Sequence, residues 1–399
     1  MATIITGAIG EKDLYTVASA KRDVGLGIAL LDPKVAPLVL LSQTGMDARN
    51  VADVQKASLA KKVTIDPKVE WLEDQLVPSE DAINCAAGYT AAATSLVVDN
   101  GTYFYDYCYG YVKRTGEIFS LGGSAVSTNT LTVTRAALGT TAAAILDNDE
   151  IIILDIANEE GAAVPTARST LKDLAYNYTE IIRTPISMTR TTMNTAMLGE
   201  ERDWDYQKKT QGIRHAEKIE QKFLFGGRSI SRTGTETKRT MGGLVNTITT
   251  NVYNAGGTLT ENNFNVNVVE PAFKRGRGSA YRVLLASPRL NSVICNWGNN
   301  KVQTNVGGNK LGMVINQYIS PHGIIYLIPH HLISGTVGLA GILIDPEKIT
   351  YRFLQNSDTS LKQDVVKTGV DGQTDEYLSE VTIQAKNESL HALVKNVQN

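Results

Sequence analysis

The longest helical pattern of the chain lies between Glu200 and Phe225. Its apolar residues recur at helical spacing and mark one face: Ile213, Ala216, Ile219 and Phe223. Acidic residues crowd the predicted start, where the helix dipole favours carboxylates, and two glycines after Phe225 supply a stop. At about 1.5 Å per residue the helix is roughly 40 Å long, which predicts a strut across an elongated subunit. Gly212 weakens its middle by about 1 kcal/mol relative to alanine, so a bend is expected there.

Alternating and short apolar runs predict strands before this helix. Residues 178–188 alternate branched and polar side chains around Pro185, which indicates an extended arm. Between 84 and 156, β patterns separated by turn residues indicate about four to six strands. About 70 residues of this kind form a small barrel or sandwich. Because the flanking segments differ in character, this β-rich stretch is interpreted as an insertion.

Helices and strands interleave after residue 260. The predicted helices are 260–275, capped by Thr260 and kinked at Pro271, and 288–297, capped by Ser287. The predicted strands are 283–286, 323–328, 339–345, 349–354 and 379–385. This order predicts an α+β fold.

The first 45 residues are expected to form an arm rather than a domain. Residues 28–41, IALLDPKVAPLVLL, are apolar but are interrupted by one aspartate and two prolines. A segment of this kind must cover its leucines against something else. The sequence leaves open whether this is the chain's own body or a neighbouring copy.

Composition narrows the classes of function. The chain has 399 residues, enough to bury a sizeable core and to divide into two or three domains. Its 39 basic and 41 acidic residues give a net charge of −2, which does not require a nucleic acid or a charged membrane as a tight partner. Three scattered cysteines fit neither a disulfide framework nor a zinc site, so a reducing compartment is expected. With no secretory signal pattern and no run long enough to span a membrane, a soluble, cytosolic protein is expected.

Candidate catalytic chemistry is sparse. The sequence contains no Walker loop, no G-x-S-x-G and no H-E-x-x-H motif. Glu73 and Asp74 look like paired catalytic acids, but adjacent residues do not face each other on a helix or a strand, so a solvated or salt-bridged face is favoured. His330 and His331 have no acidic or cysteine partner at ligand spacing, which favours a turn-capping or structural role over a metal site.

Two further patterns are compatible with binding. Tyr103, Tyr105 and Tyr107 fall on one face of a predicted extended run, as in a carbohydrate platform, although half-buried packing is favoured. A basic cluster begins at the end of the predicted 260–275 helix: Lys274, Arg275, Arg277 and Arg282. No aromatic residues interleave with it for base stacking, so a solvated loop or an ion-paired subunit contact is favoured over phosphate binding.

Several segments occur in a recognisable order along the chain. They are EWLEDQLVP from Glu70, LTVTRAALGTTAAA from Leu131, EEGAAVPTAR from Glu159, NYTEIIRTPISMT from Asn177, HAEKIEQKFLFG from His215, RTMGGLVNTITTNV from Arg239 and AGGTLTE from Ala255. The later segments ILIDPEKITYRFL and DEYLSEVTIQ fit the same pattern. In this order the chain resembles the major capsid proteins of tailed bacteriophages, in the branch with a β-rich insertion in the extended loop.

The resemblance implies an HK97-like capsid fold of class α+β. Its expected parts are an N-terminal arm and linker (1–69), an extended loop (70–176) carrying a small β-barrel or sandwich (about 84–156), a peripheral domain (177–260 plus 341–399) with a spine helix (200–225), and an axial domain (261–340). The strut predicted from periodicity then becomes the spine helix.

The resemblance also implies a structural protein with no enzymatic activity, cofactor or metal. Copies are expected to form hexamers and pentamers, and these the icosahedral head of a tailed double-stranded DNA phage, assembled in the host bacterial cytoplasm and forming part of the virion. Scaffolding, portal and decoration proteins are further expected partners, packaged DNA is expected to be contacted weakly and non-specifically, and no membrane is involved. The alternatives are a nanocompartment shell of the same fold and a carbohydrate-binding or hydrolytic protein that uses the β module.

Eleven residues are expected at subunit contacts in such a shell. They are Leu38, Leu40, Trp71, Leu72, Glu73, Asp74, Arg114, Arg239, Lys274, Arg275 and Arg277. The set combines the apolar part of the arm, the start of the extended loop and basic positions elsewhere in the chain. With no catalytic or metal residue in the prediction, these contacts are its only functional sites.

Overall fold

Two units make up the chain in the computed structural model. The structure describes residues 36–44, 59–158, 160–161, 167–194, 203–234, 236–274, 280–297, 302–303, 316–333, 338–366, 369 and 371–398. The first unit, here called the body, comprises the described residues of Met1–Trp71 and Ala175–Asn399. The second, here called the module, is Leu72–Leu174.

Seven α-helices occur in the described part of the body. They are α1 (Pro37–Thr44), α2 (Arg190–Asn194), α3 (Asp203–Phe225), α4 (Leu244–Thr247), α5 (Glu261–Phe264), α6 (Glu270–Lys274) and α7 (Pro288–Asn296). The long helix predicted from periodicity is confirmed as α3. Within the described ranges, no helix has both the length and the apolar character needed to cross a membrane.

The predicted caps after residue 260 are confirmed. The Thr260 hydroxyl accepts from an amide in the first turn of α5, and Ser287 does the same for α7. The predicted 260–275 helix is not uniform, however, because a π-helical turn (Asn265–Val269) joins α5 to α6. This wider turn lies immediately before Pro271, whose ring removes a backbone donor from the helix. The expected irregularity is therefore a π turn that precedes the proline.

Twenty-two strands are described along the chain. They are β1 (Ala60–Thr64), β2 (Lys68–Glu73), β3 (Glu80–Ala82), β4 (Ser95–Val97), β5 (Tyr109–Val112), β6 (Ile118–Ser127), β7 (Thr130–Thr134), β8 (Glu150–Leu154), β9 (Asp173–Tyr178), β10 (Glu180–Thr189), β11 (Ser229–Ser231), β12 (Lys238–Thr240), β13 (Val252–Gly257), β14 (Tyr281–Ala286), β15 (Val302–Gln303), β16 (Asn316–Ile319), β17 (Ile324–Pro329), β18 (Leu339–Ile344), β19 (Ile349–Leu354), β20 (Ser360–Lys362), β21 (Gly372–Ala385) and β22 (Ala392–Val397). Many strands and few helices make this a mixed α+β fold.

The larger sheet of the body has seven strands in the order β13-β22-β18-β14-β17-β16-β15. Both of its faces are buried, as β14 shows. Val283 and Leu285 enter one core while Leu284 and Ala286 enter the other. Successive side chains of a strand point to opposite faces, so a strand covered on both sides is apolar at most positions. The helical run α5–α6 and α7 supply the second core.

The second body sheet runs β1-β19-β21-β10, with β20 also paired to β21. Its edge strand β10 contains Pro185 opposite Glu376, a position that tolerates a residue without an amide hydrogen because one side of an edge strand needs no partner. Ile219 and Phe223 of α3 share a core with residues of this sheet. Leu38 and Leu41 of α1 are fully buried in the same core, so this part of the apolar segment is covered by the chain's own body.

The module is built on one six-stranded sheet in the order β3-β8-β5-β6-β7-β4. Its two end strands are joined as well, because Asn84 donates to the carbonyl of Val97 at 2.9 Å and Asp99 donates to the carbonyl of Ala82 at 3.0 Å. The sheet therefore closes on itself around a core of aliphatic and aromatic side chains: Ile83, Leu96, Val98, Phe119, Leu131, Ile145 and Ile151.

Candidate functional site

One buried carboxylate fastens the N-terminal segment to the long helix. Glu220 of α3 is fully buried, and its two oxygens accept the amide hydrogens of Leu38 at 2.9 Å and Val39 at 3.1 Å. These amides belong to the first turn of α1, whose N–H groups have no partner within the helix. A carboxylate there also complements the positive end of the helix dipole. Charge-assisted hydrogen bonds thus hold α1 against α3 where no water competes.

His330 completes the environment of Glu220. Its ring is fully buried, Nε2 lies 2.8 Å from a Glu220 oxygen, and Nδ1 accepts the Leu332 amide at 3.2 Å. Because Nδ1 is an acceptor, Nε2 carries the hydrogen and donates to the carboxylate. The structural role predicted for His330 is confirmed by these bonds. Among the residues that the structure describes, no group of three or more His, Cys, Asp or Glu side chains has an arrangement suited to a metal ion.

A second buried histidine lies where α3 packs on the smaller body sheet. His215 has Nδ1 3.0 Å from the Thr184 hydroxyl and Nε2 2.7 Å from the Ser379 hydroxyl. Burial, with a smaller contribution from the positive charge of Lys218, lowers the pKa of His215 to about 4. The pair resembles a serine nucleophile and its base, but Ser379 is itself fully buried and so is closed to a substrate. The arrangement holds a neutral imidazole between two elements.

This histidine makes the stability of the body depend on pH. Its folded pKa of about 4 lies below the ordinary value of 6.5, so the unfolded chain binds more protons between these values and stability falls as the pH falls. From pH 7 to pH 5 we expect His215 to account for a loss of about 2 kcal/mol. Urea unfolding of the unassembled protein at both pH values should show a smaller loss in His215→Gln than in the wild type. The exposed His322→Gln is the control, and an equal loss in all three proteins would contradict the assignment.

Gly212 allows a tyrosine to approach α3 closely. A Cβ atom at this position would lie 3.2 Å from the Tyr377 hydroxyl oxygen. That hydroxyl donates to the carbonyl of Lys208 at 3.2 Å. The α-helical conformation runs without interruption through Gly212, so the predicted bend does not break the helix. Space for Tyr377 explains the glycine.

The body residues predicted at subunit contacts have different surroundings. Leu38 contradicts the prediction, because its side chain is fully buried beside α3 and has no surface left for another copy. Leu40 and Trp71 are half-buried. Arg239 is engaged within the chain, where its Nη2 donates to Glu380 Oε1 at 2.9 Å. Leu40 and Trp71 thus keep part of their surface, whereas the charge of Arg239 is paired internally.

The basic cluster after residue 273 does not form one surface. Arg282 is fully buried, with Nη1 3.4 Å from Asp345 Oδ2 and the guanidinium 4.4 Å from the centre of the Phe273 ring. Burial lowers the pKa of Arg282, and the charge of Asp345 only partly offsets this effect. Lys274 is exposed. Two members lie outside the described residues: Arg275 and Arg277. The phosphate-contact alternative is therefore wrong for Arg282, because no phosphate reaches a buried guanidinium.

In the module, the predicted contact residues lie on or near the surface. Leu72 and Asp74 are exposed and Glu73 is half-buried. Glu73 ends β2 and Asp74 follows it, so successive side chains diverge as expected for a strand. Arg114 forms a two-pronged ion pair with Asp149, with both N–O distances 2.7 Å. The module therefore leaves one large apolar side chain, Leu72, open among these residues.

The tyrosine row does not form a platform. Tyr103 lies in a 3₁₀ turn (Gly101–Tyr103) and Tyr107 has a left-handed backbone, φ 65°, so the predicted extended run is wrong. The departure from an extended strand has a local cause, because the side chains of Phe104 and Cys108 turn into the core of the module. The Tyr105 hydroxyl donates to Asp155 Oδ1 at 2.6 Å, and its ring packs against the guanidinium of Arg168. Burial and the Asp155 carboxylate raise the pKa of Tyr105 to about 12.

A buried ion pair in the module escaped the sequence interpretation. The two oxygens of Glu117, which is fully buried, accept Nε and Nη2 of Arg135, each at 2.6 Å. Burial alone raises the pKa of Glu117, but the bonds from Arg135 and from two backbone amides more than offset this and lower it. Glu117 is therefore ionised at neutral pH. The only sequence signal was two opposite charges, one immediately before β6 and one immediately after β7.

Comparisons with known proteins give one family match by sequence and several weak structural similarities. The sequence profile described as SU10 major capsid protein matches residues 13–398. A structure from Mycobacterium phage Cain is 10% identical over 98% of both chains, with a TM-score of 0.45. The capsid of a native GTA particle is 10% identical over 60% of this chain and 80% of its own, with a TM-score of 0.41. The SrpI encapsulin of Synechococcus elongatus PCC 7942 is 11% identical over 56% of this chain and 76% of its own, with a TM-score of 0.41.

A search of the curated proteins finds no match to the chain. The structural similarities above are weak, with TM-scores from 0.41 to 0.45. Similarities at this level do not define a function. Assignment to a family therefore depends on the profile, which spans almost the whole chain.

Proposed function

We propose that this chain, which belongs to the SU10 major capsid protein family, assembles into an icosahedral shell that encloses packaged double-stranded DNA. That it is a shell-forming capsid protein follows from the family itself, because the profile matches residues 13–398. This match is the observation that carries the proposal. The proposal adds hexamers and pentamers as the building blocks, the genome as the content, and assembly in the host bacterial cytoplasm.

The proposed subunit has an HK97-like architecture. Its parts are an N-terminal arm and linker (1–69), an extended loop (70–176), a peripheral domain (177–260 plus 341–399) and an axial domain (261–340). The closed six-stranded sheet of the module supports an inserted small β-barrel. The core that α3 shares with α1 and the smaller body sheet supports α3 as the spine helix.

Exposed leucines of the module support contacts between copies. Four leucines near its chain ends are 56–90% exposed: Leu72, Leu76, Leu171 and Leu174. Covering these exposed apolar side chains by neighbouring copies is favourable, because it removes apolar surface from water. Scaffolding, portal and decoration proteins are further proposed partners. The net charge of −2 favours weak, non-specific contact with the packaged DNA.

Electron microscopy of the purified full-length protein tests the proposal. We expect closed shells, or rings and sheets of capsomers, together with a sedimentation profile far above that of a monomer. The physical reason is that the exposed leucines of one copy become buried only when further copies are present. A monodisperse monomer across a wide range of salt and protein concentrations would contradict shell formation.

The content of the particles separates a genome container from a cargo compartment. Particles isolated from the natural source are treated with nuclease, and the protected nucleic acid is then extracted. Protected double-stranded DNA is expected for a phage head. Particles that protect an enzyme but no DNA would show a nanocompartment instead.

A further inference from the structure

The segment between β7 and β8 presents two leucines on an irregular backbone. Residues 136–146, here called the 136–146 loop, contain no charged side chain. Leu138 is 66% exposed and Leu146 is 53% exposed. Ala136 and Leu138 both have left-handed backbones, with φ of 57° and 53°. This conformation costs a residue with a side chain roughly 1–2 kcal/mol, so the surrounding structure must hold the loop in place.

The Glu117–Arg135 ion pair holds the first part of the loop. Besides Arg135, the Glu117 carboxylate accepts the amides of Ala136 at 3.2 Å and Ala143 at 3.0 Å. Arg135 Nη2 donates in turn to the carbonyl of Ala143 at 2.6 Å. Both charged side chains are almost fully buried. The two ends of the 136–143 stretch are therefore tied to one buried ion pair.

A second ion pair holds the last part of the loop. Arg114 Nη2 donates to the carbonyl of Ala144 at 2.7 Å, and Asp149 Oδ2 accepts the amide of Leu146 at 2.7 Å. Between these two residues, Ile145 is fully buried and pairs with Tyr89 on a neighbouring segment. The loop is thus ordered before it meets any partner, and a preordered surface loses less conformational entropy on binding.

We propose that the 136–146 loop is a contact between copies in which the loop of one copy packs against the same loop of a second copy, with Leu138 at the centre. This inference rests on the proposed shell. Beyond shell formation, the 136–146 loop is assigned as a contact surface and the same loop of a second copy as its partner. None of the residues 136–146 is charged, and charged residues are depleted at the buried centre of an interface.

The lack of charge within the loop favours a second copy as the partner. When a surface meets itself, every charged residue faces or approaches its own equivalent, and like charges repel. An uncharged surface has no such penalty and is complementary to itself, as a contact about a two-fold axis requires. A shell also presents each loop with many identical loops at high local concentration.

Charge variants at Leu138 test this contact. Leu138→Lys and Leu138→Glu each place like charges opposite one another in a loop-to-loop contact. We expect at least a tenfold drop in the yield of assembled particles for either variant alone, measured by sedimentation and electron microscopy. Mixing the two variants at equal concentration is expected to restore assembly, because opposite charges then meet. Leu154→Lys and Leu154→Glu, at an exposed leucine of the module that lies outside the loop and outside the proposed contacts, provide the matched control pair.

The outcomes distinguish this contact from the shell itself. Wild-type assembly combined with normal assembly of both Leu138 variants would overturn the contact and leave the shell intact. Failure of each variant and also of their mixture would show that Leu138 meets a different surface. A wild-type protein that does not assemble would instead overturn the proposed shell. Unchanged thermal unfolding of the unassembled variants shows that they are folded.

An independent readout is a cysteine at the same position. Leu138→Cys in assembled particles is expected to form a disulfide between copies on mild oxidation, seen as a dimer on a non-reducing gel. The wild type measures any background from Cys85, Cys108 and Cys295. Particles of normal yield in which Leu138→Cys gives no more dimer than the wild type would exclude contact between equivalent loops.

Discussion

Replacing Glu220 with alanine is expected to lower the free energy of unfolding by about 3–5 kcal/mol, because three buried donors lose their acceptor. The substitution removes the acceptor of the Leu38 and Val39 amides and leaves the buried His330 N–H unpaired. Each buried donor without a partner costs about 1–3 kcal/mol. Urea unfolding gives the change in stability. Hydrogen exchange then shows whether the amides of 38 and 39 lose their protection, as expected when α1 is released from α3.

Two further variants sharpen this experiment. Glu217 lies on the same helix as Glu220, but its side chain is less buried. We therefore expect Glu217→Ala to change the free energy of unfolding by less than about 1 kcal/mol. Glu220→Gln keeps the shape but carries one acceptor oxygen and no charge, so its effect is expected to lie between those of the other two. If Glu220→Ala were as stable as Glu217→Ala, with protected amides in α1, the carboxylate would not be the anchor of this segment.

Breaking the Glu117–Arg135 pair is the second large expected effect. Glu117→Ala leaves the Arg135 guanidinium buried without its counter-charge, and such changes cost about 3–5 kcal/mol. Because the same carboxylate accepts two amides of the 136–146 loop, the loop should also lose protection from hydrogen exchange. Urea unfolding and hydrogen exchange of the unassembled full-length protein measure both effects.

An exposed ion pair of the same module is the matched control. Lys113 lies close to Glu80 and Glu150, at 3.0 Å and 2.7 Å, on side chains that remain partly exposed. Solvent screens such pairs, so Lys113→Ala is expected to cost less than about 1 kcal/mol. Equal losses in Glu117→Ala and Lys113→Ala would mean that the burial of the Glu117 pair adds no stability to the module.

Local patterns predicted most of the elements because their causes are local. Apolar residues at helical spacing predicted α3, and a capping hydroxyl followed by an apolar face predicted α5 and α7. Short apolar runs likewise predicted β14 and β18. The extended run predicted for the tyrosine row was wrong because a competing local turn was not recognised in the sequence. Alternation of residue types is necessary for a strand but not sufficient, and a 3₁₀ turn with inward Phe104 competes with it.

The candidate site was much less predictable. Glu220 and Leu38 are 182 positions apart, and no periodicity in a single sequence relates such residues. Within the helix pattern, Glu220 is a charged residue beside the apolar face, and nothing in its local spacing marks it as buried. Its burial depends on α1 covering it and on His330 reaching it from the end of β17. Leu38 was assigned to a subunit contact for the complementary reason, because an apolar arm does not reveal which surface covers it.

The sequence by itself determined the family of the protein, its α+β class, the long α3 helix and the apolar faces that enter the cores. These properties depend on residue types at short spacing and on the order of segments. Only the tertiary structure decided which charges are buried, which leucines stay exposed, and that Tyr377 packs closely against α3 at Gly212. The physical reason is that the cost of burying a carboxylate depends on donors from distant segments. Glu117 and Glu220 are stable inside the protein because folding brings those donors to them.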